Sequence, residues 1–340
     1  MTTNGKLGQA DQHVVGPATT MRAMVQDTYG SADVLRLAQI ARPVPADGEV
    51  LVRAAAAGMD RGTWHLMTGT PYLMRLVCGF RGPRNPVLGR DVAGTVVAVG
   101  SAVTEFAIGD EVYGMGGGSF AEYVAVRESK LARKPANLTF EQAATVPISA
   151  GTALQALDAG RIEPGQRVLI TGASGGVGSY AVQIAKSLGA AVTGVCSTEK
   201  IDLVASLGAE HVIDYTREDF TAGGQRYDLV IDIAGNTPLS RLRRVLTSTG
   251  TLVIVGAEDA GKLTGMSRQL RAVLLSPFVR HRLTSLVSKE QSVVLERLTQ
   301  LIESGAVAPS IDRIYPLAEA PAAMRHLAAG SVRGKVAISI

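Results

Sequence analysis

Residues 168–190 read VLITGASGGVGSYAVQIAKSLGA. Three apolar residues and a threonine run straight into Gly172-x-x-Gly175-x-x-Gly178, and apolar residues at helical spacing follow at once. Glycines so placed let a backbone turn sharply and approach a diphosphate, while the helix N-terminus offers unpaired N–H groups to its negative charge. The strand–turn–helix context separates this stretch from a merely glycine-rich turn, although Ala173 departs from G-x-G-x-x-G. Ser174, Gly175, Gly176 and Val177 are therefore the expected cradle for a dinucleotide pyrophosphate.

The pattern repeats outward. Strand-like runs at 191–196, 211–213, 229–233 and 252–255 alternate with helical ones at 177–188, 199–207 and 238–246, as in a doubly wound parallel sheet. An NAD site closes its second strand on a carboxylate that bonds the ribose 2′-hydroxyl. Here that strand ends Cys196-Ser197-Thr198-Glu199-Lys200. Two hydroxyls and a lysine suit a 2′-phosphate, so NADP is expected over NAD, with Ser197, Thr198 and Lys200 at the phosphate. Thr198 reads as the cap of the next helix and Glu199 as a carboxylate in its first turn.

Upstream, residues 21–134 show short β-like runs (23–26, 50–55, 91–99, 111–113, 120–126) among Gly, Pro and Asp, with one helix at 62–67. Thr139 and Gln142 form a capping box. Downstream come a helix at 292–303, a strand at 311–315, a helix at 317–328 and a last strand at 335–340, expected to return to the β domain. The expected division is a mobile extension over 1–20, a β domain over 21–148, a Rossmann domain over 149–284 and the return over 285–340.

Composition narrows the setting. The first 20 residues lack the basic and apolar regions of a secretory signal, and no run approaches the roughly 20 apolar residues of a membrane helix. Only Cys78 and Cys196 are present, so a disulfide framework is not expected and a reducing cytoplasm is. The net charge of +4 is scattered, apart from a loose cluster at Arg268, Arg271, Arg280 and Arg282 that reads as solvated surface. With aromatics at 4%, no basic stripe interleaved with aromatics points to nucleic acid.

Taken together, the chain resembles the zinc-independent quinone oxidoreductase branch of the medium-chain dehydrogenase/reductase superfamily from Met21 to Ile340. The resemblance is carried by Leu88-Gly-Arg-Asp-Val-Ala-Gly94, Ile108-Gly-Asp-Glu-Val-Tyr-Gly114, Gly118-Ser-Phe-Ala-Glu-Tyr123, Ala144-Thr-Val-Pro147, the glycine loop, Leu207-Gly-Ala-Glu-His-Val-Ile-Asp-Tyr215 and Arg333-Gly-Lys335. It implies an α/β fold, with a Rossmann doubly wound parallel sheet plus a discontinuous GroES-like β domain and a cleft between them. It further implies Thr152 against the nicotinamide, Lys200 and Tyr215 at the 2′-phosphate, and Asn236 and Gly256 beside the cofactor. A homodimer is the expected assembly.

Residue type argues against zinc, with Asp60, His65 and Asp91 as a remote O/N/O alternative. Two cysteines cannot build a Cys₄ lobe. Where related alcohol dehydrogenases place a catalytic Cys and His, this chain has Asp60 and Arg90, and a guanidinium does not ligate metal. Both residues depart from the family pattern, and the expectation is that they pair with each other. Alternatively one of them orients a polar or anionic substrate, with His65 or Tyr72 as proton donor. Asp60, Tyr72 and Arg90 are thus the catalytic candidates. The expected activity is metal-free hydride transfer from NADPH to a quinone or conjugated carbonyl. A biosynthetic enoyl or ketone reductase, or an NADPH-binding protein whose main role is RNA binding, are the alternatives.

Overall fold

The computed structural model describes residues 19–256 and 267–340. Its centre is a six-stranded parallel sheet in the order His211–Asp214, Ala191–Cys196, Arg167–Thr171, Tyr227–Asp232, Leu246–Ile254, Arg282–Ser285. Numbered along the chain these strands run 3-2-1-4-5-6, the Rossmann order, which opens a crevice where the winding reverses beside the first strand. Val168, Leu169 and Ile170 of that strand are fully buried, because a central parallel strand is covered on both faces and reads as a continuous apolar run. Each contributes on the order of 1.5–3 kcal/mol of burial.

The second sheet holds seven strands, with Glu49–Met59 at its heart between Asp91–Val99 and the C-terminal strand Lys335–Ser339. Ala337 lies opposite Gly58, and Ile338 opposite Ala57, in antiparallel register. The chain therefore leaves this sheet, builds the Rossmann sheet and comes back. Helix Pro147–Gly160 bridges the two, and one apolar cluster runs from Ala56, Ala93 and Tyr113 through that helix into Val168, Ile170 and Ile231. Tyr113, fully buried in the second sheet, donates its hydroxyl to the Leu295 carbonyl at 2.7 Å on helix Ser292–Glu303.

Most of the strand and helix positions read from sequence are observed, with instructive differences. The segment at 120–126 forms a regular strand only over Tyr123–Arg127, while Ala121 makes an isolated antiparallel bridge to Ala23. The strands Arg36–Ala41 and Arg282–Ser285 and the helix Ser267–Leu275 are additional elements. Arg268 is not solvated surface: its side chain is 13% exposed and pairs at 2.7 Å with the fully buried Asp232. Arg282 donates to the Ala159 carbonyl. Of the expected extension, 1–18 lie outside the described residues, and Thr20 already begins the strand Thr20–Val25. No helix among the described residues is long and apolar enough to cross a membrane.

Candidate functional site

A cavity of about 1160 Å³ follows the carboxyl ends of the parallel strands and reaches into the second sheet. It brings together Thr152, Ser174, Gly175, Gly176, Val177, Ser197, Lys200, Tyr215, Asn236 and Gly256 with Asp60 and His65. Residues separated by nearly 200 positions thus line one continuous space.

Sterics explain its glycines. Gly172 sits at φ +68°, a conformation side chains resist. A Cβ on Gly178 would lie 2.1 Å from the Gly172 carbonyl oxygen, so the helix Gly176–Ser187 approaches the strand only because position 178 is bare. A Cβ on Gly256 would lie 1.8 Å from the Ile233 oxygen. The helix N-terminus at Gly176 opens into the cavity, where an anion meets the positive end of the helix dipole. A dinucleotide diphosphate fits this bare-backbone floor.

At the end of the second strand, Ser197 and Lys200 line the cavity, but Thr198 does not. Its hydroxyl donates to Asp214 Oδ2 and lies 3.0 Å from the Thr216 hydroxyl, because the carboxylate at the end of the neighbouring strand offers a stronger acceptor. Thr198 is not a helix cap either: it lies inside the 3₁₀ turn Thr198–Lys200, and helix Ile201–Ser206 follows Lys200. The Lys200 ammonium donates to the carbonyls of Gly330 and Val332 at 2.8 and 2.9 Å. Two of its three protons are thereby engaged, and burial pulls its pKa below the ordinary lysine value. Arg217, which sequence reasoning missed, also lines this end.

At the other end the charged residues are arranged differently from expectation. Asp60 caps helix Arg61–Thr68: its Oδ1 accepts from the Thr63 amide at 2.7 Å. Its Oδ2 is buried without a hydrogen-bond partner. Arg90 does not pair with Asp60. It donates to Glu290 Oε1 at 2.6 Å, and Lys130 donates to Glu290 Oε2 at 2.6 Å. Asp60 already accepts from two groups of Thr63, whereas Glu290 offers both oxygens outward to two cations. Burial opposes the Arg90 charge, but Asp60 and Glu290 together raise its pKa above the usual value. Burial likewise works against the Glu290 carboxylate, yet Lys130 and Arg90 hold it below the ordinary range. His65 places Nδ1 2.7 Å from the Thr70 carbonyl, which requires the proton on that nitrogen. Tyr72 is away from the cavity, 45% exposed with the Arg75 guanidinium over its ring.

Sequence reading also missed Lys335. It is buried, donates to the Met59 carbonyl and the Ser149 hydroxyl, and stands 3.9 Å from Asp91. Burial pushes the Asp91 carboxyl well above the carboxylate range against the pull of this lysine. One ammonium therefore ties the returning strand to both the Asp60 segment and the helix that carries Thr152.

Comparison with known proteins places this geometry. The alcohol dehydrogenase GroES-like domain family matches residues 46–136, and the family described as zinc-binding dehydrogenase matches residues 207–338. An Arabidopsis thaliana chloroplastic NADPH-dependent alkenal/one oxidoreductase is 34% identical over 94% of this chain and 79% of its own length. A chloroplast envelope quinone oxidoreductase homolog from the same plant is 33% identical over 94% of this chain and 98% of its own. The structure of a quinone oxidoreductase from Coxiella burnetii superposes with a TM-score of 0.84 at 29% identity, covering 94% and 99% of the two chains. The fold and cavity are those of a dinucleotide-dependent oxidoreductase. The chain belongs to the quinone oxidoreductase branch of the medium-chain dehydrogenase/reductase superfamily.

Proposed function

We propose that the protein is an NADPH-dependent, metal-free reductase of quinones or conjugated carbonyls. The observation that carries this reading is the single cavity joining Ser197 and Lys200, through the glycine floor, to Thr152 and Asp60. When bound, NADPH supplies a hydride from its nicotinamide C4. Ser197, Lys200, Tyr215 and Arg217 receive the 2′-phosphate, and Ser174, Gly175, Gly176 and Val177 the diphosphate. Thr152, Asn236 and Gly256 line the remainder, with Asp60 Oδ2 as an acceptor for an N–H or O–H of the nicotinamide end.

Arg90 and His65 supply positive charge and a proton-handling ring near the acceptor's oxygen, where negative charge develops as hydride arrives. Tyr72, being exposed, takes no part. Conjugation already polarises the acceptor, so no Lewis acid is needed, and the Arg90 guanidinium fills the position where the zinc enzymes place a ligand.

The alkenal/one and quinone relatives support this acceptor class over a biosynthetic ketone reductase. We further propose three working regions: the GroES-like part over 21–148, the Rossmann part over 149–284 and the return over 285–340. A cytoplasmic setting agrees with two free cysteines. A homodimer agrees with an outer edge strand, Arg282–Ser285, flanked by exposed Leu270, Leu274 and Phe278, since such edges invite pairing.

A panel of quinones and enones, followed by NADPH oxidation before and after exhaustive chelation, tests the function. Turnover that survives chelation and falls sharply with NADH is expected. No oxidation with any acceptor, or activity that tracks zinc content, refutes it.

A further inference from the structure

Beyond Arg90 lies a second cavity of about 300 Å³, lined by Leu66, Val87, Leu88 and Met115 on its walls and by Arg84, Lys130 and Arg90 among its charged groups. A small space lies between it and the main cavity, sharing Ile148 and Thr152 with the main cavity and Arg90, Met115 and Glu290 with the second one. Arg90 stands at the junction: the place a Cβ on Gly62 would take, on the main cavity's wall, is 2.5 Å from Arg90 Nη1. Apolar walls with three cations against the single carboxylate of Glu290 make a chamber suited to an apolar chain ending in an anion. At the ~30 Å³ of a water molecule, it takes on the order of ten heavy atoms.

Glu290 shows what the two inner cations accept. Its carboxylate is gripped by Arg90 on one oxygen and Lys130 on the other, both at 2.6 Å. The residue lies between strand Arg282–Ser285 and helix Ser292–Glu303, and its neighbour Lys289 is clipped by Gln155. Arg90 and Lys130 belong to the other sheet's side of the cleft. The contact is therefore a carboxylate carried across the cleft into a two-cation clamp. At about 29% exposed, the Glu290 side chain meets water on one side of this clamp.

We infer that the acceptor site continues past Arg90 into this second chamber and selects acceptors whose apolar tail ends in a carboxylate, Glu290 holding Lys130 until that carboxylate replaces it there. The inference rests on the reading of the main cavity as the reductase site and adds the substrate's far end to it.

Calorimetric titration of the whole protein with octanoate and with octanamide tests the chamber without turnover. Octanoate is expected to bind at least about tenfold more tightly, the scale of one hydrogen bond to a charged group. Lys130→Gln should erase that preference, Lys130→Arg should restore it, and Glu290→Gln should tighten octanoate by removing its competitor. Near-ultraviolet circular dichroism checks that each variant is folded. Equal binding of acid and amide, or a preference unmoved in Lys130→Gln, overturns the inference. A parallel assay compares a carboxyalkyl quinone with its methyl ester. Turnover of both with equal kcat/KM and no octanoate preference sinks the chamber alone. Octanoate binding without reduction of any quinone or enone sinks the reductase reading alone.

Discussion

The two ends of the cleft are built from different materials. At the dinucleotide end the decisive groups are bare backbone at Gly172, Gly178 and Gly256, where a Cβ has no room or the dihedral angle excludes one. At the end proposed for the acceptor they are charged side chains, Asp60, Arg90, Lys130 and Glu290, arriving from four separate segments. Each end also has an arginine–carboxylate pair of nearly equal length, Arg268–Asp232 at 2.7 Å and Arg90–Glu290 at 2.6 Å. The first is buried at the carboxyl end of an interior parallel strand; the second is about 30% open to water on both partners. Equal geometry with unequal burial gives one pair that holds the fold and another that is free to exchange partners.

That contrast fails most visibly if the buried pair is weak. Arg268→Met leaves the Asp232 carboxylate buried without its cation, retaining among the described residues the Thr171 hydroxyl as its side-chain donor. Loss of one partner from a buried pair costs about 3–5 kcal/mol, readable as a lower urea midpoint with unchanged slope. Arg90→Met should cost only about 1 kcal/mol, because Glu290 keeps Lys130 and water. Its larger effect should fall on kcat/KM, about 10²-fold if the guanidinium stabilises developing charge. Replacing Asp60 as well should recover only a small part of that loss, since Asp60 acts on Arg90 through its field and not through a direct ion pair. Equal losses in the two arginine variants would collapse the distinction.

Gly178→Ala tests the backbone half directly. The new methyl would meet the Gly172 oxygen and the Ala173 Cα at 2.1 and 2.7 Å, so helix and strand must separate. Overpacking of this kind costs about 1–3 kcal/mol, and NADPH affinity should fall with it. Full stability and affinity in this variant would show that the loop tolerates a side chain.

The same difference in material decided what the sequence revealed. The glycine floor was legible because steric exclusion is local: Gly172, Gly175 and Gly178 follow one strand and open one helix. The classes of fold and reaction followed from them and from the family resemblance. Thr198 was misplaced because its competitor, Asp214, approaches only when two strands pair. Arg90 was recognised as a departure but given the wrong partner, since Glu290 lies 200 residues away in a loop with no motif. Lys335 belonged to a quoted motif, yet its role emerges only when the last strand lies against Met59. Arg268 looked like surface because nothing near it in sequence shows the helix folding over Asp232.

At the 2′-phosphate end, Lys200→Met should weaken NADPH by about 1.5–3 kcal/mol, the scale of a charge-assisted hydrogen bond, and leave NADH nearly unchanged. The lower part of that range is expected, because two of the lysine's protons already serve Gly330 and Val332. Fluorescence titration with both cofactors measures it. An equal loss for NADH would make Lys200 a brace for the 330–332 turn instead of a phosphate ligand.

The smallest expected effect concerns acid. Lys130 and Arg90 overcome the upward push of burial and hold Glu290 below the ordinary carboxylate range. A carboxyl whose folded pKa lies below its unfolded value adds stability above the unfolded value, near pH 4.3 for glutamate, and loses it as pH falls through the lower folded one. With the pair partly exposed to water, the gain is at most about 1 kcal/mol. Glu290→Gln should therefore lower stability slightly at neutral pH and flatten the decline from about pH 5 downward, so that the two stability curves converge in acid. Arg268→Met, by contrast, should show its larger deficit throughout the neutral range. Raising salt should shrink the Glu290 difference, since exposed pairs are screened, and leave the Arg268 deficit nearly intact. Curves for Glu290→Gln and wild type that stay parallel from pH 7 to pH 3 would show that the clamp contributes nothing through its charge. The exchangeable pair would then owe its position to packing alone.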